Sequence, residues 1–178
     1  MLDTVTFTAS ARRVQNVMTF CLTLFVILIV AILLGGLIRP HDLGALISEI
    51  AGFDGANRAG WQDAGLIVIV ALSLAVWTTL LHHARQVFAH LAIGAPEAAA
   101  RAARRLSVWL WIMLAWGLVS QILTSLLATW GFPEGQRAIA IGLGLPQIST
   151  VLAALVTSFM AQAFTLGAEL WRDHQEVV

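Results

Sequence analysis

The fold class this sequence predicts is all-α: a polytopic membrane protein with four transmembrane helices and a long central helical hairpin. Three observations predict it. Four apolar runs, about 17–38, 65–81, 106–129 and 147–167, contain no Asp, Glu, Lys, Arg or His. Each approaches or exceeds the roughly 20 residues that cross a ~30 Å hydrocarbon core at 1.5 Å per residue. The arginines between the runs are unevenly placed, and the breaks carry helix start and stop signals. Composition agrees: 59% of the 178 residues are hydrophobic and 11% are charged, where soluble domains carry about 25% charged residues. Mean hydropathy is +0.85. The links are too short to build a core of their own, so the whole chain, 1–178, reads as one four-helix bundle.

The first run follows Arg12 and Arg13 and is too long for a signal-peptide core, so it reads as an uncleaved anchor. Its Cys21 is the only cysteine, which excludes an intramolecular disulfide and reads as an inert buried thiol. Between the first two runs, Leu43, Leu46, Ile47 and Ile50 recur at helical spacing. They predict a short amphipathic helix on the outer leaflet, with the Gly- and Asn-containing stretch 52–60 turning the chain back. Trp61 and Trp130 fall at the outer ends of the second and third runs, the interfacial position that indole prefers.

Arginine counting orients the chain. With both termini inside, the cytoplasmic side holds Arg12, Arg13, Arg85, Arg101, Arg104, Arg105 and Arg172, and the outer side Arg39, Arg58 and Arg137. The inner-membrane, multi-pass reading with both termini cytoplasmic follows from that bias.

The second and third helical patterns outrun the lipid and meet at Ile93-Gly94-Ala95-Pro96. Gly94 is the expected C-terminal cap and Pro96 the first residue of the next helix. Glu97 near that N-terminus is favoured by the helix dipole and is spaced to pair with Arg101 at i,i+4. The tip, 82–105, is therefore a rigid basic hairpin whose alanines let its arms approach. The fourth run presents Gln147, Thr150, Ala154, Ser158, Ala161 and Thr165 as a small and polar stripe suited to close helix packing, with Pro146 opening or kinking it. Gln121, Thr124, Ser158 and Gln162 are the expected intramembrane polar packing residues.

Several chemistries lack their signatures. No ionisable residue lies within a run, as ion and proton pathways usually require; nucleophile motifs, phosphate-cradling glycine loops and paired cysteines do not occur. His82, His83 and His90 with the tail's His174 form a weak metal pattern, so no metal, cofactor or catalytic residue is expected. The basic patch is small for direct nucleic-acid binding. Its candidate partner-binding and lipid-binding residues are Arg85, His90, Arg101, Arg104 and Arg105, with Glu169 and Asp173 on the tail placed to clasp the arginines.

Four spans with an outer loop after the first, the turn Ile93-Gly94-Ala95-Pro96, the entry Arg101, Arg104, Arg105-Leu106, and the ending Gly167-Ala168-Glu169-Leu170 with a final Val177-Val178 carry a likeness. The sequence resembles a family of small four-span bacterial inner-membrane proteins of unknown function, often encoded beside an Xre-type helix-turn-helix regulator. That resemblance implies a regulatory partner and no catalytic residue. The expected function is regulatory or sensor-like and not enzymatic, with the basic hairpin docking a cytoplasmic protein. The alternative is an accessory subunit packed against a larger membrane complex, for example a respiratory or photosynthetic one. A small transporter would need an aqueous cavity reaching Gln121 or Gln162.

Overall fold

The computed structural model describes the backbone of residues 4–52, 59–131, 139 and 141–176, and their side chains apart from 4–12, 96, 168 and 170–176. Five helices follow one another: α1 (Thr4–Ile38), α2 (Pro40–Ile50), α3 (Gly60–Ala92), α4 (Pro96–Thr129) and α5 (Leu145–Glu176). Four of them contain stretches long and apolar enough to cross a membrane: Arg13–Ile38, Gly60–Ala92, Glu97–Thr129 and Leu145–Gly167. Each expected span falls inside one of these, which points to a multi-pass membrane protein.

Local chemistry sets the boundaries. α1 gives way to α2 at Arg39, whose backbone (φ −139°, ψ 70°) leaves the helical region that a following proline, here Pro40, disfavours. At the other end of the molecule α3 stops in a Schellman motif. Gly94 takes φ +68°, its N–H donates to Leu91 O (3.1 Å), and Ala95 N–H donates to His90 O (3.0 Å). Two orphan carbonyls are thereby satisfied, and Pro96 opens α4 as expected. Pro146 lies in the first turn of α5 and does not kink it.

The long helices stand in a row, α1 on α3, α3 on α4 and α4 on α5, with α2 lying on α3 and touching α1. This corrects the expected bundle: α1 and α5 share no packed face among the described residues. α1 meets α3 through one half-buried seam at heptad spacing, Gln15, Met18, Leu22, Phe25, Ile29, Ile32 and Gly36, and no residue of its most apolar stretch is fully buried. The seam closes tightly at Gly36, where a Cβ would come within 2.9 Å of Ile67 Cγ2. α5 offers α4 the expected stripe: Ala154 and Ala161 are buried, and Gln147, Thr150 and Ser158 are half-buried. Thr165 is exposed and Phe164 takes its place against the core. Apolar side chains gain little by leaving lipid, so small residues and hydrogen bonds hold such a row together. Ser158 Oγ pairs with Ser107 Oγ (2.5 Å), and Trp116 Nε1–H donates to Ser73 Oγ (3.0 Å) across α3 and α4.

Two core clusters lie towards the α3–α4 turn. Leu80, Leu110 and Ala154 pack with Trp109 and Met113; nearer the turn, Val87, Ala102, Ala103 and Ala161 pack with Leu91, Leu106 and Phe164. The hairpin tip therefore does not project alone. α5 runs alongside it, and the cluster at this end is built from α3, α4 and α5 together.

Candidate functional site

The turn end carries the basic residues. Arg101, Arg104 and Arg105 are all exposed on α4, while Ala102 and Ala103 between them are buried against α3 and α5. Helical spacing explains the split: 101, 104, 105, 108 and 109 share one face, and 99, 102, 103, 106 and 110 turn towards the core. The arginine face continues into Val108 and Trp109. These five residues line a cleft of about 340 Å³. On the flank of the same arginine ridge a smaller cleft of about 150 Å³ is lined by Gln86, His90, Ala98, Arg101, Ala102 and Arg105. Arg85 and His90 are half-buried.

The floor of this region is fixed by aromatic and amide contacts. Trp109 stacks on His83, with ring centroids 5.8 Å apart and 27° between planes. Gln86 lies 2.9 Å from His82 Nε2 through its Nε2 and 3.4 Å from His83 Nδ1 through its Oε1. Histidines that read as weak ligands in the sequence thus contact Gln86 and Trp109. Among the described residues no three His, Cys, Asp or Glu come together as a metal site.

Two expected ion pairs are not formed. Among the described residues the ion pairs are Arg39–Asp42 and His41–Asp63, both at the opposite end. Glu97 and Arg101 stay apart although spaced to meet; both are exposed, where a pair gains about 0–1 kcal/mol and must fix two long side chains. Glu169 is exposed and makes no ion pair with the tip arginines, and the Asp173 side chain lies outside the described residues. The arginine face therefore has its charge unspent among the described residues.

The intramembrane polar residues divide. Ser158 packs as expected. Gln121 is half-buried and its Oε1 accepts the N–H of Gly142 (2.8 Å), so it holds the non-helical approach to α5 against α4. The chain at Gly142, three residues before α5, therefore lies beside Gln121, about 12 Å short of the end of α4 at Thr129 by 1.5 Å per residue. Thr124 is half-buried, whereas Gln162 is exposed on α5, off the face that packs on α4.

The α2 end holds a polar cluster that sequence reasoning missed. Asp63 and Gln62, in the first turn of α3, are almost fully buried, as are Ser48 of α2 and Ser125 and Thr129 of α4. Asp63 Oδ2 lies 2.8 Å from His41 Nδ1, and Gly44 packs flush on its carboxylate, where any Cβ would overlap. Gln62 Oε1 accepts the N–H of Ala59 (2.6 Å) and its Nε2–H donates to Leu127 O (3.0 Å). Trp61 and Trp130, expected at this level, meet edge-on with centroids 6.1 Å apart. α2 thus docks through Gly44 and Ser48, with Leu46 and Ile50 turned outward at 51% and 79% exposure, and the expected apolar face is split. The signal for this was an acid two residues before an apolar run, with a glycine inside the amphipathic helix that precedes it.

No family model, no curated protein and no solved structure matches the chain.

Proposed function

We propose that this is a non-catalytic, multi-pass protein of the bacterial inner membrane, with both termini and the α3–α4 turn in the cytoplasm, where its basic end docks an acidic partner protein. Seven of ten arginines fall on that side, which supports the orientation. The observation that carries the docking reading is the exposed arginine face, without an ion pair among the described residues, on a tip held by its alanine-rich core and its Schellman turn. Guanidinium groups on a rigid scaffold lose little entropy on meeting carboxylates. The smaller cleft beside His90 and Gln86 gives one acidic side chain a seat between α3 and α4. A regulatory or sensor-like role fits such a surface, and a helix-turn-helix regulator is the partner that the family resemblance implies.

A second reading, an accessory subunit of a larger membrane complex, draws on the row itself. α1 uses a single narrow seam and leaves Val17, Phe20, Leu24 and Ile27 exposed along its length, a face that lipid or another subunit could cover. Pull-down from membranes solubilised in mild detergent tests both. Arg101→Gln, Arg104→Gln and Arg105→Gln together should weaken a docked cytoplasmic partner about 10- to 100-fold, the sum of three exposed pairs at about 0.5–1 kcal/mol each. His90→Ala with Gln86→Ala should weaken it too. A capture unchanged by either set rejects the docking reading, and a co-purifying membrane subunit insensitive to both favours the second.

A further inference from the structure

We propose that the larger cleft on α4 binds the headgroup of an anionic glycerophospholipid, its phosphodiester on Arg101, Arg104 and Arg105 and the start of an acyl chain along Val108 and Trp109. The inference rests on the reading that α4 crosses a bilayer with its arginines at the surface, and it is independent of any protein partner. Four observations carry it. Arg104 and Arg105 immediately precede the apolar run that begins at Leu106, so the cleft sits where headgroup gives way to hydrocarbon. Its walls hold three cations and no carboxylate, and none of the three is in an ion pair among the described residues. Guanidinium forks match phosphate oxygens bidentately and remain charged at any physiological pH. The rest of the lining is apolar: Val108 is 54% exposed, and Trp109 is braced by His83.

A ligand that fills this cleft must be anionic at one end and apolar at the other. A free phosphate satisfies only the arginines. An acidic peptide satisfies the charge but would lay its polar backbone against Val108 and Trp109 at the edge of the hydrocarbon, where unpaired backbone groups are costly. The volume, about 340 Å³, is at the small end of the range of ~300–1,000 Å³ for small-molecule sites, which suits a headgroup with the first part of a chain. Phosphatidylglycerol supplies one phosphodiester charge and the required chain, and serves as the probe.

The test uses the full chain in nanodiscs of phosphatidylcholine with or without phosphatidylglycerol, released into mild detergent and analysed by native mass spectrometry. Wild type should retain phosphatidylglycerol in preference to phosphatidylcholine. Arg104→Gln should lower that retention about fivefold, the ratio that corresponds to about 1 kcal/mol for one arginine near an anionic surface, and the triple arginine variant about 100-fold. Arg39→Gln, an exposed arginine at the α2 end, should leave it unchanged. Trp109→Phe, which keeps the ring stacked on His83, tests the apolar wall if Trp109→Ala does not fold. Equal retention of both lipids by wild type, unchanged retention in Arg104→Gln, or binding of soluble glycerophosphoglycerol as tight as that of the lipid would each overturn the site. A chain that fails to float with vesicles overturns the membrane reading as well. Loss of partner capture with lipid retention intact leaves the lipid site standing and rejects protein docking alone.

Discussion

Replacing Gln62 by Leu should cost about 2–4 kcal/mol of stability. The side chain is 2% exposed and serves two backbone groups that helix geometry leaves without partners. One is the N–H of Ala59, the N-cap of α3, at 2.6 Å; the other is the carbonyl of Leu127 in the last turn of α4, at 3.0 Å. Leucine fills the same space and satisfies neither. A buried group left unpaired costs about 1–3 kcal/mol, and hydrogen bonds in membrane proteins average about 0.6 with a maximum near 1.7. Two bonds at about 1–2 kcal/mol each give the stated range. Unfolding of the purified protein in mixed micelles, titrated with sodium dodecyl sulfate, measures the difference. A double-mutant cycle with Ala59→Pro isolates the first bond, because φ −77° at Ala59 accepts proline while the N–H is removed; a coupling of about 0.5–1.5 kcal/mol is expected. A total loss below about 0.5 kcal/mol would refute the idea that Gln62 ties α3 to α4.

Gly44→Val should detach α2, because a side chain there overlaps the Asp63 carboxylate and cannot coexist with the His41–Asp63 contact. Faster hydrogen exchange over 40–50, with 98–110 unchanged, is the expected signature. Ala103→Leu places three extra carbons among Val87, Ala102 and Ala161, and overpacking of that kind costs about 1–3 kcal/mol. It should loosen the tip, seen as increased proteolysis near residue 94, while labelling of a cysteine introduced by Arg39→Cys stays at the level seen in the Arg39→Cys variant alone.

How much of this was legible in the sequence depends on what sorted the residues. Helix ends were legible because they rest on backbone chemistry: Gly94 with φ +68° and Pro96 act in the same way in any surroundings. The α5 stripe was legible because Gln147, Thr150, Ala154, Ser158 and Ala161 recur at helical spacing as a small and polar set, which is what lets helices pack closely in lipid. Neighbours were not. In water an apolar face marks the inside; in a chain whose outside is also apolar, Leu and Ile carry no such information. The apolar face expected on the outer leaflet therefore did not tell which residues of α2 meet the protein: Gly44 and Ser48 do, with Leu46 and Ile50 outward. α1 is apolar nearly all round, so nothing in it announced a seam to α3 alone. The basic residues were correctly listed from sequence, but their division into two clefts depends on how α3 lies against α4. Asp63 went unread because it stands two residues before an apolar run that was judged by its lack of charge.

The two ends of the row differ in a way that bears on function. At the α2 end polar groups answer one another: Asp63 with His41, Gln62 with two backbone partners, Thr129 Oγ1–H with Ser125 O at 2.7 Å. No buried side-chain nitrogen or oxygen among the described residues lacks a partner. Such a network is worth most when complete and fixes how helices meet, so its role is satisfied within the chain. At the turn end the packing is done by alanines with Val87, Leu91, Leu106 and Phe164, which ask for no polar partner, and the arginines stand outside it with no ion pair among the described residues. Charges that contribute nothing to holding the helices can change with little effect on the fold. Substitution at Gln62 or Gly44 should therefore be read first as a stability effect, and substitution at Arg101, Arg104 or Arg105 as an effect on what the protein meets.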